Sequence, residues 1–152
     1  MTDSKPEPVV FDLTDCGWQR DLSADGRRQA AAVGARLAEL HIPVMIVEAS
    51  PFCRTRQTAE IAFGRAPKIN SDLFYHVTQT AEQVALANAL LRARLAARPP
   101  SGANIVLVGH SPTMKEASGV ELPEGEAAIV KPAADGTFRL MARLEAGIMP
   151  AP

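Results

Sequence analysis

The chain has 152 residues, of which 47% are hydrophobic, and its formal net charge is −1. This length and composition predict one domain with a buried core and argue against a disordered protein. The sequence has no basic tract or stripe, so nucleic acid is not an expected partner. Its apolar runs are far shorter than the roughly 20 residues that cross a bilayer, so no membrane partner is expected either.

The N-terminal third begins with a polar segment and continues with one helix and one strand. Residues 1–8 are rich in proline and acid and predict a loose leader. Residues 9–11 predict a short strand or a loop anchor. Ser23 is a preferred N-cap residue, and the apolar spacing after it predicts a helix to about Leu40. The apolar run that follows predicts a buried strand over 44–49.

The rest of the chain continues the alternation of helices and strands. Thr80-Ala81-Glu82-Gln83 is a capping-box pattern, and Asp135-Gly136 is a turn signal between two strands. The predicted elements, in chain order, are a helix after Arg54 that ends near Gly64, an extended segment around 73–75, a helix from 80 to about 97, a strand over 104–109, a short helix over 114–117, and strands over 127–130 and 137–144.

Helices that alternate with strands are typical of a sheet covered by helices. We therefore predict an α/β fold: a single three-layer domain whose mostly parallel sheet is flanked by helices, with an antiparallel pair at the C-terminal end. The domain is expected to cover residues 9–148, between the leader and a tail of residues 149–152. The sequence indicates no internal repeat and no second domain.

Charged and polar residues follow two of the predicted strands, at the point where each strand ends. Arg54 and Arg56 lie where the strand over 44–49 gives way to a helix, and His110 follows the strand over 104–109. Ligands of open α/β sheets bind outside the carboxyl ends of the strands. A helix N-terminus and a guanidinium group together favour an anion. The pattern therefore predicts an anion-binding site at this edge of the sheet.

Three segments around these residues resemble the histidine phosphatase superfamily in their order and spacing. They are Leu22–Ala30, Ser50–Ala59 and Val108–Ser111, and the likeness extends over about residues 12–145. The superfamily includes phosphoglycerate mutases and small bacterial phosphohistidine phosphatases. The resemblance implies a two-step phosphoryl transfer, in which a histidine of an Arg-His motif attacks phosphorus and water then releases the phosphohistidine.

The resemblance also implies roles for residues of this chain. Arg54 matches the superfamily's second phosphate-binding arginine, and His110 matches its second histidine, a catalytic residue that holds phosphate and can move a proton. Ser111 is a candidate for phosphate contact through its hydroxyl or N–H group, or a cap of the following helix. Arg56 matches no ligand of the superfamily and is expected to be a solvated helix residue. The implied partner is a phosphate-bearing small molecule or a phosphoprotein, and the resemblance implies neither a metal nor a cofactor.

The sequence departs from the superfamily at one point, because it contains no Arg-His pair. Its three histidines are His41, His76 and His110, and the first two are expected to lie on the surface. The resemblance therefore implies that the chain lacks the superfamily's first strand, its nucleophile and one phosphate-binding arginine. Two interpretations follow: a phosphatase-like domain that is inactive as written, or a non-catalytic module that binds phosphate or a phosphoprotein.

Three other kinds of site fit the sequence poorly. The segment Gly109–Thr113 lacks the last glycine of an α/β-hydrolase elbow, and no histidine follows Ser111 to complete a triad. A cysteine phosphatase needs an arginine six residues after its cysteine, where this chain has Leu22 and Ala59. The histidines and cysteines also lack the spacing of zinc ligands.

The two cysteines, Cys16 and Cys53, leave two alternatives open. They can be separate reduced thiols, as is usual in the cytosol, or one disulfide that ties the Cys16 loop to the turn at Arg54. Residues 1–8 lack the features of a signal peptide, so the chain as written is expected in the cytoplasm. If an upstream signal segment exists, an exported protein is expected instead.

Two polar pairs outside the motifs can have either a binding role or a structural one. Gln19-Arg20 can help to bind phosphate if its loop folds over the pocket, or it can lie on the surface. Glu124 and Glu126 can be acids near the site or part of a solvated loop. In both cases we expect the surface position.

Overall fold

The computed structural model describes residues 1–6, 12–76 and 79–144. Within these residues it contains four α-helices and five strands, with 3₁₀ turns at Cys16–Trp18 and Ser71–Leu73. The helices are α1 (Ala24–Glu39), α2 (Cys53–Phe63), α3 (Ala81–Ala96) and α4 (Ser111–Ser118). The strands are β1 (Val44–Ala49), β2 (Lys68–Ile69), β3 (Asn104–Val108), β4 (Ala127–Pro132) and β5 (Phe138–Leu144).

Local signals in the sequence set the helix ends. The Ser23 hydroxyl oxygen accepts the N–H of Gly26 at 3.0 Å and caps α1 as predicted. Thr80 and Gln83 form the predicted capping box at the start of α3. Gly64 ends α2 in the left-handed conformation, with φ of 64°, which a glycine adopts without steric cost. These helix ends were predictable because each depends on only a few consecutive residues.

Helices α1 and α2 pack closely against each other. A Cβ added at Gly34 of α1 would lie 1.8 Å from the carbonyl oxygen of Ala62 in α2, so only glycine fits there. Arg27 of α1 donates to the side-chain oxygen of Gln57 in α2 at 3.0 Å. The position of α2 is therefore fixed by its contact with α1 as well as by the sheet.

The sheet places the ends of two strands side by side. Strand β1 lies between β2 and β3, and both pairs are parallel. Ala49, the last residue of β1, is the register partner of Val108, the last residue of β3. Strands β4 and β5 form a separate antiparallel pair. The predicted α/β fold, with a parallel sheet and an antiparallel pair after it, is confirmed.

Two core clusters lie on opposite faces of the parallel sheet. Val108 packs with a cluster that includes Val47 of β1 and Ala59 of α2, whereas Leu107 packs with a cluster that includes Leu91 of α3. Successive residues of a strand point to opposite faces. Helices therefore cover both faces, which is the predicted three-layer arrangement. In the described part of the chain, none of the helices combines the length and the apolar character needed to cross a membrane.

A buried ion pair joins the sheet to α3. The Glu48 carboxylate of β1 accepts from Arg94 Nη2 at 2.5 Å and from Arg94 Nε at 3.1 Å, and it also accepts from Asn70 Nδ2 at 2.7 Å. Burial acts to raise the pKa of Glu48, but the hydrogen bonds of Arg94 and Asn70 and the charge of Arg94 outweigh it. The pKa of Glu48 therefore lies below its usual value, and the pair stays ionised.

One predicted extended segment begins with a tight turn, after which Phe74 is extended. Around 73–75 the sequence predicts an extended conformation, but the 3₁₀ turn over Ser71–Leu73 occupies its start. The Asn70 side-chain oxygen accepts the N–H of Asp72 at 2.9 Å and begins this turn. The short strand β2 just before it was not predicted, because two residues are too few to show a periodic pattern.

The N-terminal residues contact the domain, although the sequence predicts a loose leader over 1–8. Thr2 forms an isolated antiparallel bridge with Leu22, and its N–H donates to Glu124 at 3.0 Å. These contacts exist because the loop before α1 and the loop before β4 both reach the first residues. Residues 7 and 8 of the leader, the possible strand over 9–11 and the tail over 149–152 lie outside the described residues.

Candidate functional site

The candidate site forms where β1 and β3 end side by side. After β1 the chain turns at Ser50 into α2, and after β3 it passes through Gly109 and His110 into α4. The N–H of Ser50 donates to the carbonyl oxygen of Val108 at 3.0 Å and continues the ladder between the two strands. Both helices therefore begin at the same edge of the sheet.

The two residues that match phosphate ligands are in contact at this edge. Arg54 Nη2 lies 3.3 Å from His110 Nδ1, and His110 Nε2 lies 2.9 Å from the Ser50 hydroxyl oxygen. Only 7% of Arg54 and none of Ser50 is exposed to solvent. Charges interact more strongly in such a shielded position than at the surface. The structure thus brings Arg54 and His110 together, and their binding of phosphate stays a prediction.

Aromatic rings surround this pair. The guanidinium carbon of Arg54 lies 4.8 Å from the ring centre of Phe52 and 5.6 Å from that of Tyr75. The His110 ring centre lies 5.0 Å from that of Phe52 and 5.2 Å from that of Tyr75. A guanidinium group over an aromatic face is attracted by the ring's quadrupole. The two rings therefore restrict the orientations of both side chains and keep water away from them.

His110 is a neutral imidazole at physiological pH. Its burial is the main cause, followed by the positive charge of Arg54 and then that of His76, and together they lower the pKa of His110 to about 3. A neutral imidazole has one N–H donor and one acceptor nitrogen. The site therefore combines one permanent cation with one uncharged ring that can both donate and accept a hydrogen bond.

A disulfide bond joins Cys16 to Cys53, the first residue of α2, and decides between the two alternatives that the sequence leaves open. The bond fixes the Cys16 loop beside Arg54. Gln19 of this loop is fully buried, its Oε1 accepts the N–H of Cys53 at 2.9 Å, and its Nε2 donates to the carbonyl oxygen of Asp12 at 2.9 Å. The expected surface position of Gln19 is wrong, because this side chain is buried where it accepts the first N–H group of α2.

Arg56 is not the solvated helix residue that the sequence predicts. Its Nη2 lies 3.0 Å from Cys53 Sγ and 3.4 Å from the carbonyl oxygen of Leu13. Residues three apart lie on the same side of a helix, so Arg56 reaches the disulfide at Cys53. Its guanidinium group therefore supports the loop beside the site.

Other candidate residues have structural contacts in the described chain. Ser111 is the first residue of α4, whose N-cap is His110, so Ser111 does not cap the helix. Its contact with phosphate stays a prediction. Glu124 accepts the N–H of Thr2 at 3.0 Å and pairs with Arg20 at 3.3 Å. Glu124 and Arg20 therefore tie the first residues of the chain to the domain.

The two other histidines have different surroundings. His41 is exposed, as predicted. Only 8% of the His76 side chain is exposed, and its Nδ1 lies 2.8 Å from Glu116 Oε2. The predicted surface position of His76 is wrong, because α4 brings Glu116 to the ring.

Sequence reasoning did not single out three residues of the site: Ser50, Phe52 and Tyr75. The first two belong to the same motif as Arg54, so their closeness in sequence was an available signal. Tyr75 follows β2, far from Arg54 along the chain, and no local pattern connects them. Only the fold brings that ring to the guanidinium group.

The arrangement has the chemistry of an oxyanion site. Guanidinium N–H groups match the oxygens of phosphate in a bidentate manner, and the N-termini of α2 and α4 add the positive ends of two helix dipoles. The described residues contain no group of three or more His, Cys, Asp or Glu side chains placed to hold a metal ion.

Sequence comparison matches part of the chain to one family. The model of the histidine phosphatase superfamily (branch 1) matches residues 16–73. The matched segment runs from the Cys16 loop to the turn after β2, so it contains Arg54 but not His110. No curated protein sequence matches the chain.

Solved structures share the fold at low sequence identity. Open reading frame Rv3214 from Mycobacterium tuberculosis is 20% identical with a TM-score of 0.66, covering 84% of this chain and 86% of that one. The protein histidine phosphatase SixA complexed with tungstate is 19% identical with a TM-score of 0.65, covering 96% and 92%. A proposed phosphohistidine phosphatase SixA from Nakamurella multipartitia is 22% identical with a TM-score of 0.60, covering 96% and 91%. At these identities the likeness establishes the fold.

Proposed function

We propose that the chain is a member of the histidine phosphatase superfamily and forms a phosphate-binding domain for phosphomonoesters or phosphohistidine; its motifs, the partial match to the family model and the shared fold support this proposal. As written, the chain binds phosphate and does not turn it over. The observation that carries the proposal is the 3.3 Å contact between Arg54 and His110 at the ends of two neighbouring parallel strands.

The charges and hydrogen-bonding groups at this edge suit a phosphate group. Arg54 supplies a permanent positive charge, and its burial reduces the screening of that charge by water. His110 supplies an uncharged ring that contacts Arg54, so it can hold the guanidinium group in place without repelling it. Phosphate oxygens need several directed donors, which the guanidinium group and the helix N-termini offer.

A relative of the same fold supports an oxyanion ligand. The solved SixA structure is a complex with tungstate. Tungstate is a tetrahedral oxyanion, as phosphate is. We extend that ligand class to this chain because the fold is shared and because Arg54 and His110 lie together at the sheet edge.

We expect no phosphatase turnover because none of the three histidines is placed to attack phosphorus. His41 is exposed in the loop before β1, and His76 is held by Glu116. Both ring nitrogens of His110 are engaged in hydrogen bonds. Removal of the nucleophile lowers the rate by a factor on the order of 10⁶ in a well-studied hydrolase.

The sheet supports the view that a further strand belongs beside β3. Among the described residues, β3 pairs only with β1, and β4 and β5 stand as a separate pair. Residues 105–108 of β3 are all apolar but only half-buried, whereas parallel strands are ordinarily buried on both faces. A strand at this edge would cover those side chains and could carry the missing nucleophile.

We further propose that the protein works in an oxidising compartment. Cys16 and Cys53 form a disulfide, and such bonds persist mainly outside the reducing cytosol. Titration of free thiols in protein purified without reductant should give none per chain. Two free thiols per chain would contradict the proposal.

Isothermal calorimetry with inorganic phosphate and with vanadate tests the binding half of the proposal. We expect saturable binding to the 152-residue chain and its loss in Arg54→Ala. Arg28→Ala is a matched control, because Arg28 is exposed on α1 and its ion-pair partner among the described residues is its neighbour Asp25. Absence of saturable heat for the unaltered chain, or equal binding by Arg54→Ala, would contradict a phosphate site at Arg54.

Adding a strand tests the catalytic half. One variant extends the chain at Met1 by about five apolar β-branched residues followed by Arg-His-Ala, and its control carries Arg-Gln-Ala instead. We expect hydrolysis of p-nitrophenyl phosphate only in the first. If both variants gain stability and neither hydrolyses the ester, the chain is better described as a non-catalytic module for phosphate or a phosphoprotein. If the unextended chain hydrolyses the ester at an ordinary rate and His110→Ala abolishes this activity, the proposal that the chain is inactive is wrong.

A further inference from the structure

Ser50 lies directly beside His110, and neither the motifs nor the comparisons give it a role. We propose that Ser50 is a positioning residue whose hydroxyl oxygen accepts from the Nε2–H group of His110 and so fixes the ring with its unprotonated Nδ1 directed at Arg54. This inference rests on the proposed phosphate site and adds the residue that sets its geometry.

The partners of the ring determine which nitrogen carries the proton. A guanidinium group has only donors, so in its contact with Arg54 the Nδ1 atom of His110 must accept. In a neutral imidazole the other nitrogen then carries the hydrogen. That nitrogen, Nε2, lies 2.9 Å from the Ser50 hydroxyl oxygen, which is placed to accept.

The Ser50 hydroxyl is held in place by its own backbone. The Ser50 N–H donates to Val108 at 3.0 Å, and the Ser50 carbonyl oxygen accepts from the Thr55 hydroxyl at 2.9 Å. Ser50 is fully buried, so water does not compete for its oxygen. The acceptor therefore has a fixed position relative to the strand end that presents His110.

Among the described residues, two aromatic side chains also border the ring. Phe52 and Tyr75 contact His110 through their rings, and they limit how far the imidazole can rotate. Without the Ser50 hydroxyl, the buried Nε2–H group would lose its acceptor, and only the contact of Nδ1 with Arg54 would still orient the ring. An N–H at Nδ1 would also point at the donors of Arg54, so the guanidinium group would shift from its position.

The tautomer can be observed directly by long-range proton–nitrogen NMR on protein labelled with ¹⁵N-histidine. The chain has three histidines, and variants of His41 and His76 assign their signals. We expect the unaltered protein to show His110 only as the Nε2–H form between pH 5 and 8. An Nδ1–H form, or a mixture of both forms, in the unaltered protein would overturn the inference, even if no variant folds.

Ser50→Ala then tests the cause. We expect the Nε2–H proton of His110, which has lost its acceptor, to exchange faster with water, and the affinity for inorganic phosphate to fall about tenfold, as the loss of one buried hydrogen bond implies. Thr113→Val is the matched control: it removes another buried hydroxyl, which donates to the carbonyl oxygen of Phe74 and not to the His110 ring. A Ser50→Ala protein in which the Nε2–H proton exchanges at the unaltered rate, or in which the affinity for phosphate is unchanged, would overturn the inference. Failure of the unaltered chain to bind phosphate would instead refute the proposed function, since the tautomer is measured without phosphate.

Discussion

The edge of the sheet that carries the candidate site and the β4–β5 hairpin are held in different ways. At the site edge, Ser50, Phe52 and Cys53 are almost completely buried, and a disulfide and the ladder between β1 and β3 join the surrounding turns. In the hairpin, Ile129 and Met141 are large apolar residues that are exposed. This difference indicates that the disulfide and the hydrogen bonds at the site edge hold the geometry of the site. The β4–β5 hairpin contributes less to it.

The largest effect should come from the ion pair beneath the site edge. Arg94→Ala leaves the Glu48 carboxylate buried without its cation, and we expect the free energy of unfolding at pH 7 to fall by roughly 3–5 kcal/mol. Urea unfolding at pH 7 measures this loss. Lys115→Ala is the control, because the pair of Lys115 with Glu121 is exposed and should contribute less than about 1 kcal/mol.

The pair of Glu48 and Arg94 should also make the stability of the protein depend on pH. With its pKa lowered, Glu48 stabilises the unaltered protein above the ordinary pKa of the group, and this contribution is lost as the pH falls through the folded-state pKa. In Arg94→Ala, the hydrogen bonds and the charge of Arg94 no longer lower the pKa of Glu48, so protonation relieves the unpaired charge at a higher pH than in the unaltered protein. The difference in stability between the two proteins should therefore narrow from pH 7 to pH 4. An equal difference at both pH values would contradict the pairing.

The disulfide should have the next largest effect. The Cys16–Cys53 bond closes a loop with a sequence separation of 37, for which the loss of unfolded-state entropy predicts about 3–4 kcal/mol. Cys16→Ser combined with Cys53→Ser should lower the free energy of unfolding by this amount. Reductant should destabilise the unaltered protein equally and leave the double variant unchanged. No effect of reductant on the unaltered protein would contradict the bond.

A smaller effect follows from the neutral His110 ring. Its pKa is about 3 in the folded protein and near 6.5 when unfolded, so only the unfolded chain takes up this proton between those values. The stability is complete above pH 6.5 and is lost as the pH falls, by about 2 kcal/mol between pH 7 and pH 5. His110→Gln should remove this dependence, whereas His41→Gln, at an exposed position, should retain it. If the free energy of unfolding changes equally with pH in both variants, His110 is not a buried neutral ring.

The smallest effect should come from the exposed side of the hairpin. Met141→Lys should change the free energy of unfolding by no more than about 0.5 kcal/mol, because the side chain is exposed. It should also raise the protein concentration at which aggregation begins, since it reduces an apolar surface patch. A loss above about 1 kcal/mol would mean that the hairpin is packed more firmly than its exposure indicates.

The sequence predicted those features that depend on neighbouring residues. Ser23, Thr80 and Gly64 set helix ends through local contacts, and they were identified correctly. Arg54 and His110 were identified because each follows an apolar run, and parallel strands bring such positions to one edge. These signals are short-range, so a single sequence was enough to find them.

The features that were missed depend on contacts between distant parts of the chain. The disulfide stayed undecided because spacing along the chain does not give the distance between Cys16 and Cys53. Gln19 was placed on the surface, as glutamine usually is, although a helix N-terminus buries it. The ring of Tyr75 reaches Arg54 only in the folded chain.

The most direct test of the account is a crystal structure of this chain grown with tungstate, whose anomalous scattering locates the ion without ambiguity. We predict one tungstate within hydrogen-bond distance of both Arg54 and His110, at the edge where β1 and β3 end. A tungstate bound elsewhere, with that edge free of it at saturating concentration, would contradict the central claim that these two side chains form one oxyanion site.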